Sequence, residues 1–159
     1  MSLLFRDATP SDAAVIAGFV RDLAEYEKLR HEAVATDADF AAALSGPAPL
    51  ARALIVELDA APVGFALWYT IFSTFTGRAG MYLEDIYVVP EHRNAGIGRG
   101  IFRELARRAV ASGCARVDWA VLDWNAPSIA FYRSIGAVGL DGWTTQRLTG
   151  DALSALAAA

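Results

Sequence analysis

The chain has 159 residues, 55% of them hydrophobic and 20% charged, with a net charge of −4. That length and composition suit one compact domain, residues 1–159, with a core of its own, and exclude a disordered chain. The mildly acidic balance lacks the basic field of a nucleic-acid-binding domain, and a lone cysteine, Cys114, forbids an internal disulfide and points to a reducing, cytoplasmic compartment.

The first seven residues lack a basic stretch followed by a long apolar run, so no secretory signal is expected. Residues 3–6 read as a first strand. Thr9-Pro10-Ser11-Asp12 then opens a helix, with Thr9 as cap and Pro10 at the first position. Ala13, Ile16, Ala17, Val20, Leu23 and Ala24 give that helix one apolar face. A second helix is expected over 37–44, stopped by Ser45-Gly46-Pro47. Residues 53–58 and 63–71 read as a hairpin turning at Asp59-Ala60-Ala61-Pro62. The apolar run across them is broken by Glu57, Asp59, Pro62 and Gly64, which argues against a membrane span.

A loop over 73–80 leads to a strand over 81–89 that Pro90 closes. The third helix follows Gly96, buries Ile97, Ile101, Leu105 and Ala109, and ends at Ser112-Gly113. Residues 116–122 read as a strand, Asn125-Ala126-Pro127 starts a fourth helix, and Gly136 closes it as a left-handed cap. Residues 140–148 are expected to form the last strand, and the alanine-rich tail a short helix. The order is that of a mixed α/β domain with helices on both faces of a sheet.

The segment Arg93-Asn94-Ala95-Gly96-Ile97-Gly98-Arg99-Gly100 joins a strand to a helix. Its glycines permit close approach of a ligand. Its free N–H groups and the helix dipole suit a pyrophosphate, with Arg93 and Arg99 adding positive charge. Gly98-Arg99-Gly100 offers neither the lysine nor the hydroxyl of a P-loop. Position and spacing also exclude a dinucleotide fingerprint. The alternative is a glycine-rich turn with no ligand.

The six residues 93–98 resemble the acetyl-CoA pyrophosphate loop of the GCN5-related N-acetyltransferases, and the element order resembles that fold along nearly the whole chain. The resemblance implies a mixed sheet splayed between its fourth and fifth strands, with acetyl-CoA as co-substrate and no metal. Tyr82-Leu83-Glu84-Asp85-Ile86-Tyr87-Val88, Trp124-Asn125-Ala126-Pro127-Ser128, Phe131-Tyr132, Gly142-Trp143 and Leu23-Ala24-Glu25-Tyr26-Glu27 are similar to the diamine (spermidine/spermine) acetyltransferases. Phe72-Ser73-Thr74-Phe75-Thr76-Gly77-Arg78 and Leu122-Asp123-Trp124-Asn125 resemble the thialysine-acetylating branch of that group.

From these positions the resemblance assigns roles. Tyr132 would protonate the departing thiolate, and Glu84 would accept the amine's proton through water. Ile86, Tyr87 and Val88 would offer backbone groups to the pantetheine arm, with Asn125 and Ser128 beside it. The pyrophosphate would lie on Arg93, Asn94, Ala95, Gly96, Ile97, Gly98 and Arg99. Tyr26, Glu27, Glu84, Asp85, Asp141 and Trp143 would meet a small cationic amine. Each has a plainer alternative. Phe131-Tyr132 is also an ordinary apolar pair, Tyr26 and Glu27 end a charged helix, and Trp143 could be core. The loop before Trp143 is shorter than in the diamine enzymes. Glu84 and Asp85 could form a salt-bridged edge pair. Strand alternation sends adjacent side chains to opposite faces unless a bulge intervenes, so at most one of the two is expected to face the amine.

Residues 73–77 carry hydroxyls where a polyamine enzyme would place an acid, which favours a lysine-like or ornithine-like amine over spermine. Cys114 reads as a small buried residue, and His31 and His92 have no partners at metal spacing. A homodimer is implied by resemblance alone. The rival readings are an idle acyl-CoA-binding module of the same fold and a polyamine acetyltransferase.

Overall fold

The computed structural model describes residues 2–159, which divide into two compact units, the first ending at Leu122 and the second running over Asp123–Ala159. In the first unit the elements are β1 (Leu3–Asp7), α1 (Ala13–Tyr26), α2 (Asp37–Ala43), β2 (Arg52–Leu58), β3 (Ala61–Ser73), β4 (Arg78–Val88), α3 (Ile97–Ala111) and β5 (Val117–Asp118). One five-stranded sheet runs in the order β1-β2-β3-β4-β5, antiparallel except for the parallel β4–β5 pair.

The start of α1 is pinned by charge. A short 3-10 turn over Pro10–Asp12 precedes it, and the Asp12 carboxylate accepts from the backbone N–H and hydroxyl of Thr9. This is the return half of a capping box with Thr9 at the N-cap and Asp12 three residues on. Arg6 on β1 donates to both oxygens of Asp12, at 3.0 and 2.8 Å, and holds that carboxyl down at about 2.

Alternation along the strands builds a core on each side of the sheet. On one side Ala53, Ile55, Phe65, Leu67 and Tyr87 pack with Ile16 and Phe19 of α1. Phe19 stacks on Phe65 at 5.7 Å between ring centroids. Phe65 and Ile55 are wholly buried, each contributing about 1.5–3 kcal/mol. The opposite side takes α3, whose Ile101 and Leu105 are buried and whose Arg108 guanidinium lies 5.6 Å from the Trp68 ring centre. Helices on both faces, as expected, leave the sheet buried in its middle.

The hairpin turn is tighter than expected. Asp59 and Ala60 alone form it, both with positive φ (49° and 68°), and Leu58 pairs with Ala61. Two such residues match the twist of the strands they join.

Strand β4 separates from β5 early. Only Met81↔Val117 and Tyr82↔Asp118 pair, so 83–88 have no partner on that side. This is the splay between fourth and fifth strands expected from the resemblance. It also corrects the expected strand over 116–122, because a strand persists only where a neighbour hydrogen-bonds to it.

The second unit holds α4 (Ala126–Ser134) and α5 (Gly150–Ala157). The strand expected over 140–148 is absent: no ladder includes those residues. Its β-prone Trp143-Thr144-Thr145 run supplies propensity, but pairing and packing decide whether a strand forms. The alanine-rich tail is helical, and Gly136, with φ at 92°, closes α4. Cys114 is half-buried rather than buried. No described helix is long and apolar enough to cross a membrane.

Candidate active site

The acids of β4 sit at an irregularity. Leu67 pairs with Asp85 while the next residue, Trp68, pairs with Leu83, so Glu84 is an extra residue with no partner on β3. Such a bulge breaks the alternation. Asp85 lies in regular register two places before Tyr87, and therefore on the α1 side of the sheet. Glu84 accepts a hydrogen bond from the Tyr69 hydroxyl at 3.1 Å, and its charge reaches Asp85. The bulge is the exception to the alternation that would send the two carboxylates to opposite faces.

Glu27, just past the end of α1, joins them. Asp85 is half-buried and pushed up to about 6, first by loss of water, then by the negative charges of Glu84 and Glu27. Desolvation also raises Glu27. Neither Glu84 nor Asp85 makes a salt bridge among the described residues, which removes the edge-pair alternative. Aromatic rings border the acids: Tyr69 stacks on Tyr82 at 5.3 Å. Three carboxylates with no salt bridge among the described residues, next to phenol rings, have the chemistry to accept an ammonium group.

Arg93 ties this region to the glycine loop. Its guanidinium lies 5.1 Å from the Tyr26 ring centre and 5.3 Å from that of Tyr87, and its Nε donates to the Val88 carbonyl at 2.8 Å. The side chain is thus engaged with the end of α1 and the end of β4. Beyond it Asn94 (φ 63°) and Gly96 (φ 80°) both adopt left-handed backbone around Ala95. Alternation of this kind turns successive N–H groups to one side, and Gly96 caps α3 with no side chain over the first-turn N–H groups of Ile97, Gly98 and Arg99. The loop fits an anion such as a pyrophosphate. Ile86, Tyr87 and Val88 lie on the stretch of β4 that β5 leaves unpaired.

In the second unit Asn125 is buried, and its Oδ1 accepts from the Ser128 N–H at 3.3 Å, capping α4. Tyr132 is half-buried, with its ring 5.6 Å from that of Phe131. Asp141 is exposed beside Gly139, and Trp143 is 79% exposed, so Trp143 is not core.

Tyr69 was missed in the sequence. An aromatic residue in a strand is ordinary, and a bulge leaves no compositional mark. The nearest signal was the pair of adjacent acids in a strand. No group of three metal-binding side chains gathers among the described residues.

Residues 17–137 match the model of the acetyltransferase (GNAT) family, a match that runs across the boundary between the two units. The chain is 39% identical to the thialysine N-epsilon-acetyltransferase of Mus musculus, covering 98% of each protein. It is 28% identical to an L-ornithine N5-acetyltransferase of Arabidopsis thaliana, covering 95% of this chain and 86% of that one. Among solved structures, an integron cassette protein of V. cholerae superposes with a TM-score of 0.81 at 26% identity, covering 100% and 99% of the two chains.

Proposed function

Because the chain belongs to the GNAT acetyltransferase family and is an N-acetyltransferase like its full-length relatives, we propose that it transfers the acetyl group of acetyl-CoA to the side-chain amine of a small cationic amino acid of thialysine, lysine or ornithine type. The observation that carries this reading is the bulge at Glu84, which gathers Glu84, Asp85 and Glu27 beside Tyr69 and Tyr82.

A lysine-type ammonium has a pKa of about 10.4 and cannot attack a thioester until it loses a proton. Asp85 and Glu27 attract the cation, and Glu84 takes its proton through a water molecule. The amine nitrogen then bonds to the acetyl carbon, the carbon–sulfur bond breaks, Tyr132 gives its phenolic proton to the thiolate, and the proton that the nitrogen sheds on becoming an amide returns to Tyr132 through solvent. The loop at 93–99 holds the pyrophosphate. Backbone groups of Ile86, Tyr87 and Val88, with Asn125 and Ser128, hold the pantetheine arm. Asp141 and Trp143 belong to the amine side. Transfer is direct, in a ternary complex, and residues 1–159 make up a single acetyltransferase domain. A cytoplasmic homodimer completes the proposal, and sedimentation of the purified chain tests the dimer.

The end of the β3–β4 hairpin supports a short amine. Residues 73–77 contain no carboxylate, and the Ser73 hydroxyl accepts from the Thr76 N–H of its own turn at 3.3 Å. A long polycation would gain from another acid there. Steady-state rates with acetyl-CoA against thialysine, lysine, ornithine, spermidine and spermine test the substrate class. The amino acids should be preferred by about tenfold or more in kcat/KM, the equivalent of one well-made polar contact. A preference for spermine would overturn this choice of amine.

A further inference from the structure

We propose that Tyr69 is a positioning residue for the proton acceptor: its hydroxyl, 3.1 Å from Glu84 Oε2, fixes the Glu84 carboxylate over the bulge and leaves Oε1 turned to the substrate's water. The inference rests on the reading of Glu84 as that acceptor.

Glu84 needs such a restraint. It is exposed, it is the residue of β4 with no opposite number on β3, and its side chain has three free torsions. A carboxylate free to swing spends little time in transfer geometry. Tyr69 supplies what the ladder does not. It pairs with Tyr82 across the strands, and the two rings stack at 28° between planes, which holds the phenol in place. Its hydroxyl donates to the Glu84 carboxylate at 3.1 Å. Burial, then the charge of Glu84, push the Tyr69 phenol up to about 12. The group therefore keeps its proton, and remains a donor, at any pH used in an assay.

The test is a double-mutant cycle of Tyr69→Phe and Glu84→Ala. Tyr69→Phe keeps the ring stack and removes only the hydroxyl. Its kcat should fall about tenfold, the loss of one good hydrogen bond, while the amine KM and acetyl-CoA Kd stay within about twofold. In the Glu84→Ala background the same substitution should change kcat by less than about twofold, because no carboxylate remains to position. An unaltered melting temperature and acetyl-CoA Kd establish that Tyr69→Phe is folded. A merely structural role would move those and not the coupling. A loss of equal size with and without Glu84 overturns the proposal and leaves Glu84 as the acceptor. So does wild-type kcat in Tyr69→Phe, or a change confined to KM. Wild-type kcat in Glu84→Ala overturns the acceptor reading itself, and this proposal with it.

Discussion

Asp85→Asn should make the protein more stable at neutral pH and a poorer amine binder. Asp85 is pushed from 3.8 to about 6 by burial and by two nearby carboxylates. Between those two values the folded chain holds a proton that the unfolded chain has released. Stability therefore falls as pH rises from about 4 to about 6, and the full cost persists above that. A shift of this size corresponds to about 3 kcal/mol at most, and water around a half-buried carboxylate reduces it to about 1–2 kcal/mol. Asparagine keeps the shape and removes the charge. At pH 7.5 the variant should gain about 1–2 kcal/mol, or about 2–8 °C in Tm for a chain of this length. At pH 4 the two proteins should differ little. Urea unfolding of both at pH 4 and pH 7.5 measures the difference directly. The amine KM should meanwhile rise about tenfold, the loss of one charged contact. A variant no more stable than wild type at pH 7.5, or one whose advantage is the same at pH 4, would refute the claim that Asp85 carries a desolvation cost retained for a cation.

Three other substitutions probe the site and its frame. Tyr132→Phe should lower kcat by about 100-fold through loss of an acid, with acetyl-CoA Kd unchanged by calorimetry; equal turnover would remove Tyr132 from the mechanism. Gly64→Ala would bring a Cβ to 2.7 Å from the Tyr87 carbonyl, a backbone atom with little room to yield. It should cost about 1–3 kcal/mol in urea unfolding and loosen the β4 end that leads to the glycine loop. Ala60→Gly should add about 1 kcal/mol in the same assay by relieving the left-handed alanine (φ 68°) of the β2–β3 turn.

Much of this architecture is legible from periodicity. The apolar faces around Ile16 and Ile101 and the hairpin at Asp59 depend on local patterns, and the structure places them where those patterns do. Residues 140–148 are different: β-propensity there is real, but no strand lies alongside to accept the hydrogen bonds. The site divides in the same way. Adjacent acids in a strand are conspicuous, and so is a glycine loop ahead of a helix. Which way Glu84 and Asp85 point depends on a one-residue shift between β3 and β4, which arises from the register of two segments together. Tyr69 owes its place beside Glu84 to that shift. The engagement of Arg93 by Tyr26 and Tyr87 joins residues 67 and 6 positions apart in the chain, and only the first of those separations was beyond local reading.

The most direct test of the account is to incubate the purified chain with isotopically labelled acetyl-CoA and a lysine-type amine, then follow free thiol and locate the label by mass spectrometry. Thiol release should be matched one for one by acetyl on the side-chain nitrogen. Thiol release without an acetylated amine, or acetyl found on the α-nitrogen, would contradict it.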